Sequence, residues 1–138
     1  SYSPDGSRIV FESDRSGSQQ VYVMNADGTG QRRISFFGGR AATPEWSPRG
    51  DQIAFTHIAG NFRIAVMRPD GGGLRHLTDS WQDEAPTWSP NGRIIQFFRT
   101  TRNSGETGIW QVDLTGRNER RLPTPVGASD PAWGPVRP

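Results

Sequence analysis

The pentapeptide Trp46-Ser47-Pro48-Arg49-Gly50 organises this chain, because variants of it recur along the sequence. The variants are Ser3-Pro4-Asp5-Gly6, Trp88-Ser89-Pro90-Asn91-Gly92 and Trp133-Gly134-Pro135. The tryptophans are 42 and then 45 residues apart, a period typical of β-propeller blades and longer than that of short helical solenoids. Proline fixes φ and glycine accepts left-handed backbone, so each copy ends one strand and turns the chain into the next. The sequence therefore predicts a repeat protein built of sheets.

Composition supports ordered turns and excludes several classes of protein. The 138 residues include 17 Gly and 11 Pro, and these fall at fixed places in the repeat, which indicates turns and not disorder. There is no cysteine, so disulfides and thiolate metal sites are excluded. All 16 basic residues are arginines, yet the net charge is only +2, so nucleic acid is not an expected partner. No apolar run is long enough to cross a bilayer, and we predict a chain that does not span the membrane.

Each repeat has the same order of strand signals. A short strand with proline two places before the tryptophan is followed by two alternating strands and then by a short arginine-rich strand. The alternating positions include Ile9 and Phe11 in the first repeat and Ile53 and Phe55 in the second. Proline suits a sheet edge and charge suits an outer edge. The pattern predicts four-stranded blades with the proline-bearing strand lining a central channel.

The repeat divides the chain into three blades and a remainder. We expect blade one at 1–39, blade two at 40–81, blade three at 82–125, and a spare inner strand at 126–138. Blade one lacks an inner strand of its own. Three blades cannot close a ring, since propellers have roughly four to eight. The fold class predicted is an all-β propeller, half of a six-bladed ring, which two copies could close as a homodimer by exchanging the spare strand.

Residues 3–13 and 20–30 resemble the WD40-like propeller repeats of the TolB family. Arg-Arg-Leu-Pro at 120–123, followed by Asp-Pro-Ala-Trp-Gly-Pro at 130–135, is similar to the carboxyl terminus of that family. Tyr2 for Trp and Gly134 for Ser depart from the repeat. The resemblance implies a non-enzymatic, periplasmic scaffold of the Tol-Pal cell-envelope system that supports outer-membrane integrity and cell division. It also implies Pal lipoprotein, other Tol proteins and colicin translocation segments as partners, bound at one mouth of the channel.

Chain direction selects a mouth independently of the resemblance. If the inner strand runs into the Trp-Ser-Pro turn at one end, the outer-to-inner connections lie at the other, where loops on a rigid scaffold carry binding residues. Asp83 and Glu84 are adjacent on an alternating strand, so only one of them can face the channel. The predicted partner-binding residues are Arg40, Thr43, Trp81, Gln82, Asp83, Glu84 and Asp130.

Other sites are weaker interpretations of the sequence. A channel calcium ion held by Asp83 and Asp130 is an alternative, but this half of a ring supplies few oxygen ligands, so no cofactor is predicted. His57 and His76 fall at positions expected to face solvent, and no nucleophile accompanies them. No catalytic residue is therefore predicted. The alternative function is a propeller module of a prolyl-oligopeptidase-like or tricorn-like peptidase; a sugar-binding or lactonase-like propeller is a third.

Overall fold

The computed structural model describes residues 1–123, and that part of the chain is all β. No helix capable of crossing a membrane occurs within it. Its strands are β1 (Arg8–Ser13), β2 (Gln20–Asn25), β3 (Arg32–Arg33), β4 (Arg40–Trp46), β5 (Ile53–Ala59), β6 (Asn61–Met67), β7 (Arg75–His76), β8 (Gln82–Trp88), β9 (Ile94–Thr100), β10 (Thr107–Asp113) and β11 (Arg120–Arg121).

The strands form three antiparallel groups in chain order, which we call the first blade (β1 to β3), the second blade (β4 to β7) and the third blade (β8 to β11). In the first blade, a bridge between Tyr2 and Ile9 stands where the other blades have an inner strand. One parallel bridge, from Phe62 to Gln82, links the second and third blades. The predicted all-β, open propeller is confirmed; the predicted spare strand at 126–138 lies outside the described residues.

Alternation along β5 explains why the blades stack. Ile53 and Phe55 pack into a core shared with the first blade, whereas Ala54 packs into a core shared with the third. All three side chains are fully buried. Complete burial of an Ile or Phe side chain stabilises a fold by about 1.5–3 kcal/mol. Because side chains alternate between the two faces of the strand, β5 contributes to two hydrophobic cores, one on each face.

The Trp-Ser-Pro turns close each inner strand. The Gly50 amide donates to the Ser47 carbonyl at 2.9 Å, and Gly50 has a φ of +79°, which glycine adopts without steric cost. Indole groups reinforce the turns: Trp46 Nε1 donates to the Gly50 carbonyl at 3.3 Å, and Trp88 Nε1 donates across the blade boundary to the Glu45 carbonyl at 2.9 Å. The tryptophan that marks the repeat therefore also joins neighbouring blades.

The histidine prediction was wrong. His57 is buried, with 5% of its surface exposed, because the connection between β3 and β4 folds back over β5. Phe37 from that connection packs edge-on against the His57 ring, with centroids 4.8 Å apart. His76 is partly buried and hydrogen-bonded to His57. Neither ring is simply solvated.

Candidate partner-binding surface

The first residues of β4 and β8, Arg40 and Gln82, occupy equivalent places in adjacent blades. The antiparallel order puts them at the end of the channel opposite the Trp-Ser-Pro turns. Arg40 is exposed and Gln82 is partly buried. Just before Gln82, Trp81 exposes 38% of its surface, and in the corresponding connection of the previous blade Phe36 exposes 72%. We call Phe36, Arg40, Trp81 and Gln82 the mouth residues.

Phe36 is not isolated on this surface. The Arg33 guanidinium lies over its ring at 4.7 Å and donates from Nε to the Ser35 carbonyl at 2.6 Å. A cation held over an aromatic face is attracted by the ring quadrupole. The arrangement keeps a large apolar ring at the surface beside a fixed positive charge.

Each of the two inner strands carries a bulge at its proline. The register shifts between Ala42 and Glu45 in β4 and between Glu84 and Thr87 in β8. The residue before the proline is left-handed in both strands: φ is +49° at Thr43 and +58° at Ala85. Such values are uncommon outside glycine and are outliers for a β-branched residue.

One buried hydroxyl connects these bulges. Thr56 Oγ1 lies 2.7 Å from Thr43 Oγ1 and accepts the Ala85 amide at 3.1 Å. The Thr43 amide points to Glu12 of the first blade, whose Oε1 is 3.4 Å away. Sequence reasoning chose Thr43 but missed Thr56, since nothing local shows that a second-strand side chain reaches two inner strands.

Asp83 and Glu84 have different environments. The Asp83 side chain is fully buried, and its two oxygens accept from Arg99 Nε at 2.7 Å and Nη2 at 2.9 Å. Glu84 is partly exposed. A partner approaching this chain therefore meets Glu84 before Asp83.

Arg99 is held on several sides. Its guanidinium lies 4.5 Å from the centroid of the Trp110 ring and also bonds Glu119. Burial lowers the pKa of Arg99, but the hydrogen bonds and charges of Asp83 and Glu119 outweigh it, and the pKa ends above its usual value. Asp83 and Arg99 thus form a bidentate ion pair, the geometry in which such pairs are strongest.

The described residues do not gather a metal-binding cluster: none of the 123 belongs to a group of three or more His, Asp or Glu side chains placed around one ion. Asp83 is occupied by Arg99, and the other residue of the calcium alternative, Asp130, lies outside the described part.

The histidine pair anchors a connection that leads to the mouth. Since the Gly38 carbonyl can only accept, His57 Nε2 donates to it, at 2.7 Å. His57 Nδ1 then accepts from His76 Nε2 at 2.8 Å. Burial, Arg63 and His57 lower the pKa of His76, and Asp79 opposes them weakly. The pair fixes Gly38, two residues before Arg40.

A cleft of about 420 Å³ lies at the other end of the inner strands. The Trp-Ser-Pro turns of two blades form it, with Tyr2 beside them; its lining is Tyr2, Glu45, Trp46, Ser47, Pro48, Thr87, Trp88, Ser89 and Pro90. The cleft and the mouth residues are thus on opposite ends of the half channel.

Comparison with known proteins gives consistent findings. The family model described as TolB beta propeller domain matches residues 1–137. A Tol-Pal system protein TolB 1 from Novosphingobium aromaticivorans is 83% identical over 85 residues, which is 62% of this chain but 19% of that relative. The crystal structure of TolB from Acinetobacter baumannii superposes with a TM-score of 0.78 at 31% identity, covering 89% of this chain and 31% of that one. A structure titled putative TolB from Agrobacterium tumefaciens superposes with a TM-score of 0.79 at 26% identity, covering 87% of this chain and 46% of that one.

Proposed function

This chain belongs to the TolB β-propeller domain family, and on that premise we propose that it is a non-enzymatic, protein-binding propeller of the Tol-Pal system, working in the periplasm. The matched segment is about a fifth of its 83%-identical relative, so the activity of the whole protein is part of the proposal. The proposed partners are Pal lipoprotein, other Tol proteins and colicin translocation segments. In this role the propeller supports outer-membrane integrity and cell division.

The observation that carries the proposal is the pair of exposed aromatics at one mouth. Trp81 and Phe36 are held at the ends of buried sheets and remain exposed. Aromatic and arginine side chains dominate binding energy at protein interfaces, because they bury large areas at low entropic cost. Arg40 adds a positive charge that favours an acidic partner segment.

The direct test is the affinity of purified, lipid-free Pal for the 138-residue chain, measured by calorimetry. Replacing Arg40 and Trp81 together by alanine should weaken binding at least about 30-fold, since one interface anchor alone contributes about 2 kcal/mol or more. The fold should survive, because both side chains are exposed.

The matched control is the double variant Tyr2→Ala with Arg93→Ala. It also removes an exposed aromatic and an exposed arginine, but at the Trp-Ser-Pro end of the sheets. Unchanged affinity is expected for this control. Equal loss in both double variants would remove the mouth residues from the site, and no binding by the unaltered chain would overturn Pal recognition.

A homodimer that completes the ring is a further part of the proposal. Ile9 and Phe11 are only partly buried, whereas their counterparts in the second blade, Ile53 and Phe55, are fully buried against the preceding blade. A second copy is the proposed cover for that face. Sedimentation should give twice 15.3 kDa, and a well-folded monomer at micromolar concentration would exclude the dimer.

A further inference from the structure

We propose that Thr56 is a positioning residue for the mouth: its single hydroxyl group sets the backbone of two adjacent inner strands, at Thr43 and Ala85, in the conformation that a partner meets. The inference rests on the proposed function for its binding readout, but its structural readout stands alone. Three observations support it: the strained backbone, the burial of Thr56, and the way its hydroxyl is shared.

The backbone at Thr43 and Ala85 needs support from outside its own strand. Both residues have positive φ and both precede a proline. A following proline favours extended backbone at the preceding residue, and a Cβ atom disfavours the left-handed region. Strained residues of this kind persist only where surrounding contacts hold them.

Thr56 supplies that contact from a place no partner can reach. It is 1% exposed and lies on β5, the second strand of the second blade. The bulges at Thr43 and Ala85 belong to different blades, so Thr56 joins two blades as well as two strained residues. An effect of Thr56 on binding would therefore be indirect.

The hydroxyl chemistry fits two simultaneous bonds. A threonine hydroxyl has one donor hydrogen and two acceptor lone pairs. Thr56 Oγ1 can accept the Ala85 N–H at 3.1 Å and still share a hydrogen with Thr43 Oγ1 at 2.7 Å. A carboxylate occupies the equivalent place in the first blade, where Glu12 Oε1 lies 3.4 Å from the Thr43 amide. An acceptor at this position thus reaches the next inner strand in both cases.

The deciding variant is Thr56→Val in the 138-residue chain, because valine keeps the shape and loses the hydroxyl. The matched control is Thr78→Val. Thr78 is also buried and its hydroxyl accepts the Ile64 amide at 3.0 Å, but within residues 1–123 it makes no bond to an inner strand. Thr56→Ser is the rescue variant.

Hydrogen exchange gives the structural readout. In Thr56→Val the Ala85 amide should exchange about fivefold to tenfold faster, the loss expected for one hydrogen bond. Thr56→Ser should restore slow exchange, and Thr78→Val should leave Ala85 unchanged. Equal exchange of Ala85 in Thr56→Val and the unaltered chain overturns the proposal. If Thr56→Val does not fold, Thr56→Ser against Thr56→Ala gives the same comparison.

Affinity for lipid-free Pal gives the functional readout. Thr56→Val should bind about fivefold more weakly, while Thr78→Val binds as the unaltered chain does. A change in Ala85 exchange with unchanged affinity would remove the positioning role. If the unaltered chain does not bind Pal, the proposed function fails, and the exchange experiment still decides whether Thr56 sets the two strands.

Discussion

The Nδ1 atom of His57 lies 2.8 Å from the Nε2 atom of His76, in a bond that crosses over strand β6. When the rings are neutral, His57 Nε2 donates to the Gly38 carbonyl and His57 Nδ1 accepts from His76 Nε2. If both histidines were protonated, His57 Nδ1 and His76 Nε2 would both be donors, and the hydrogen bond between them would be lost.

Stability should therefore fall as the pH drops below about 6.5, the usual pKa of histidine. The folded state holds the pKa of His76 below that value. As the pH falls, the unfolded chain therefore binds the proton before the folded chain does, and the free energy of unfolding decreases. Full stability is expected above pH 6.5. Urea melts at pH 7.5 and 5.5 check this, and His76→Gln should reduce the difference; an equal difference in the variant would contradict the assignment.

Gly71→Ala should destabilise the chain far more than Gly28→Ala. Both glycines stand at the same place in the repeat, with φ of +87° and +88°. In both variants the left-handed backbone should therefore lower the free energy of unfolding by about 1–2 kcal/mol. At Gly71 an added Cβ would also lie 2.1 Å from the Ile34 carbonyl oxygen of the first blade, whereas at Gly28 nothing lies within 4 Å.

We expect the clash at Gly71 to add a further 1–3 kcal/mol or so, the usual range for overpacking. Thermal or urea melts of the two variants give the comparison. Similar losses in both would mean that the first two blades do not approach each other so closely.

Replacing Arg99 by Met should cost about 3–5 kcal/mol, because the buried Asp83 carboxylate is left uncompensated. Asp83 has no exposed side-chain surface and Arg99 has 12%. The double variant Asp83→Leu with Arg99→Met should lose less than Arg99→Met alone. Urea unfolding measures the double variant and both single variants, Asp83→Leu and Arg99→Met, and additive losses would show that the two side chains act independently.

The Asp113 carboxyl should titrate near pH 2 in the folded chain. Hydrogen bonds from the Thr115 hydroxyl and the Arg117 amide are the main causes of its lowered pKa, with Asn118 assisting and burial opposing, to about 2. Its contribution to stability is thus present above the usual pKa of about 3.9 and is lost as the pH falls towards 2. NMR titration measures the value, and Thr115→Ala should raise it; a value near 3.9 in the unaltered chain would show that the turn does not form.

The repeat could be predicted from sequence because its signals are local. Trp46, Pro48 and Gly50 specify a turn by their own backbone preferences, and the alternation at Ile53 and Phe55 shows the period of a strand. Even the short charged outer strands, such as Arg32–Arg33, follow from residue type. None of these inferences needed to know what another blade contributes.

The details of the mouth depend on contacts between blades and were not predictable in the same way. His57 was expected to face solvent, but Phe37 from the neighbouring blade's connection covers it. Thr56 resembles any strand threonine until the bulge at Ala85 is placed beside it. Proline in the inner strand signalled an edge, whereas the left-handed residue before it came from the register shift.

Strand β5 contributes Ile53 and Phe55 to one hydrophobic core and Ala54 to another. The second blade therefore has no hydrophobic core of its own and shares each core with a neighbouring blade. The packing that stabilises it depends on side chains of both neighbouring blades. Such a blade cannot unfold independently, because its unfolding would expose both shared cores. A destabilising substitution in β5 should therefore destabilise both neighbouring blades. The described blades should then unfold in a single cooperative transition.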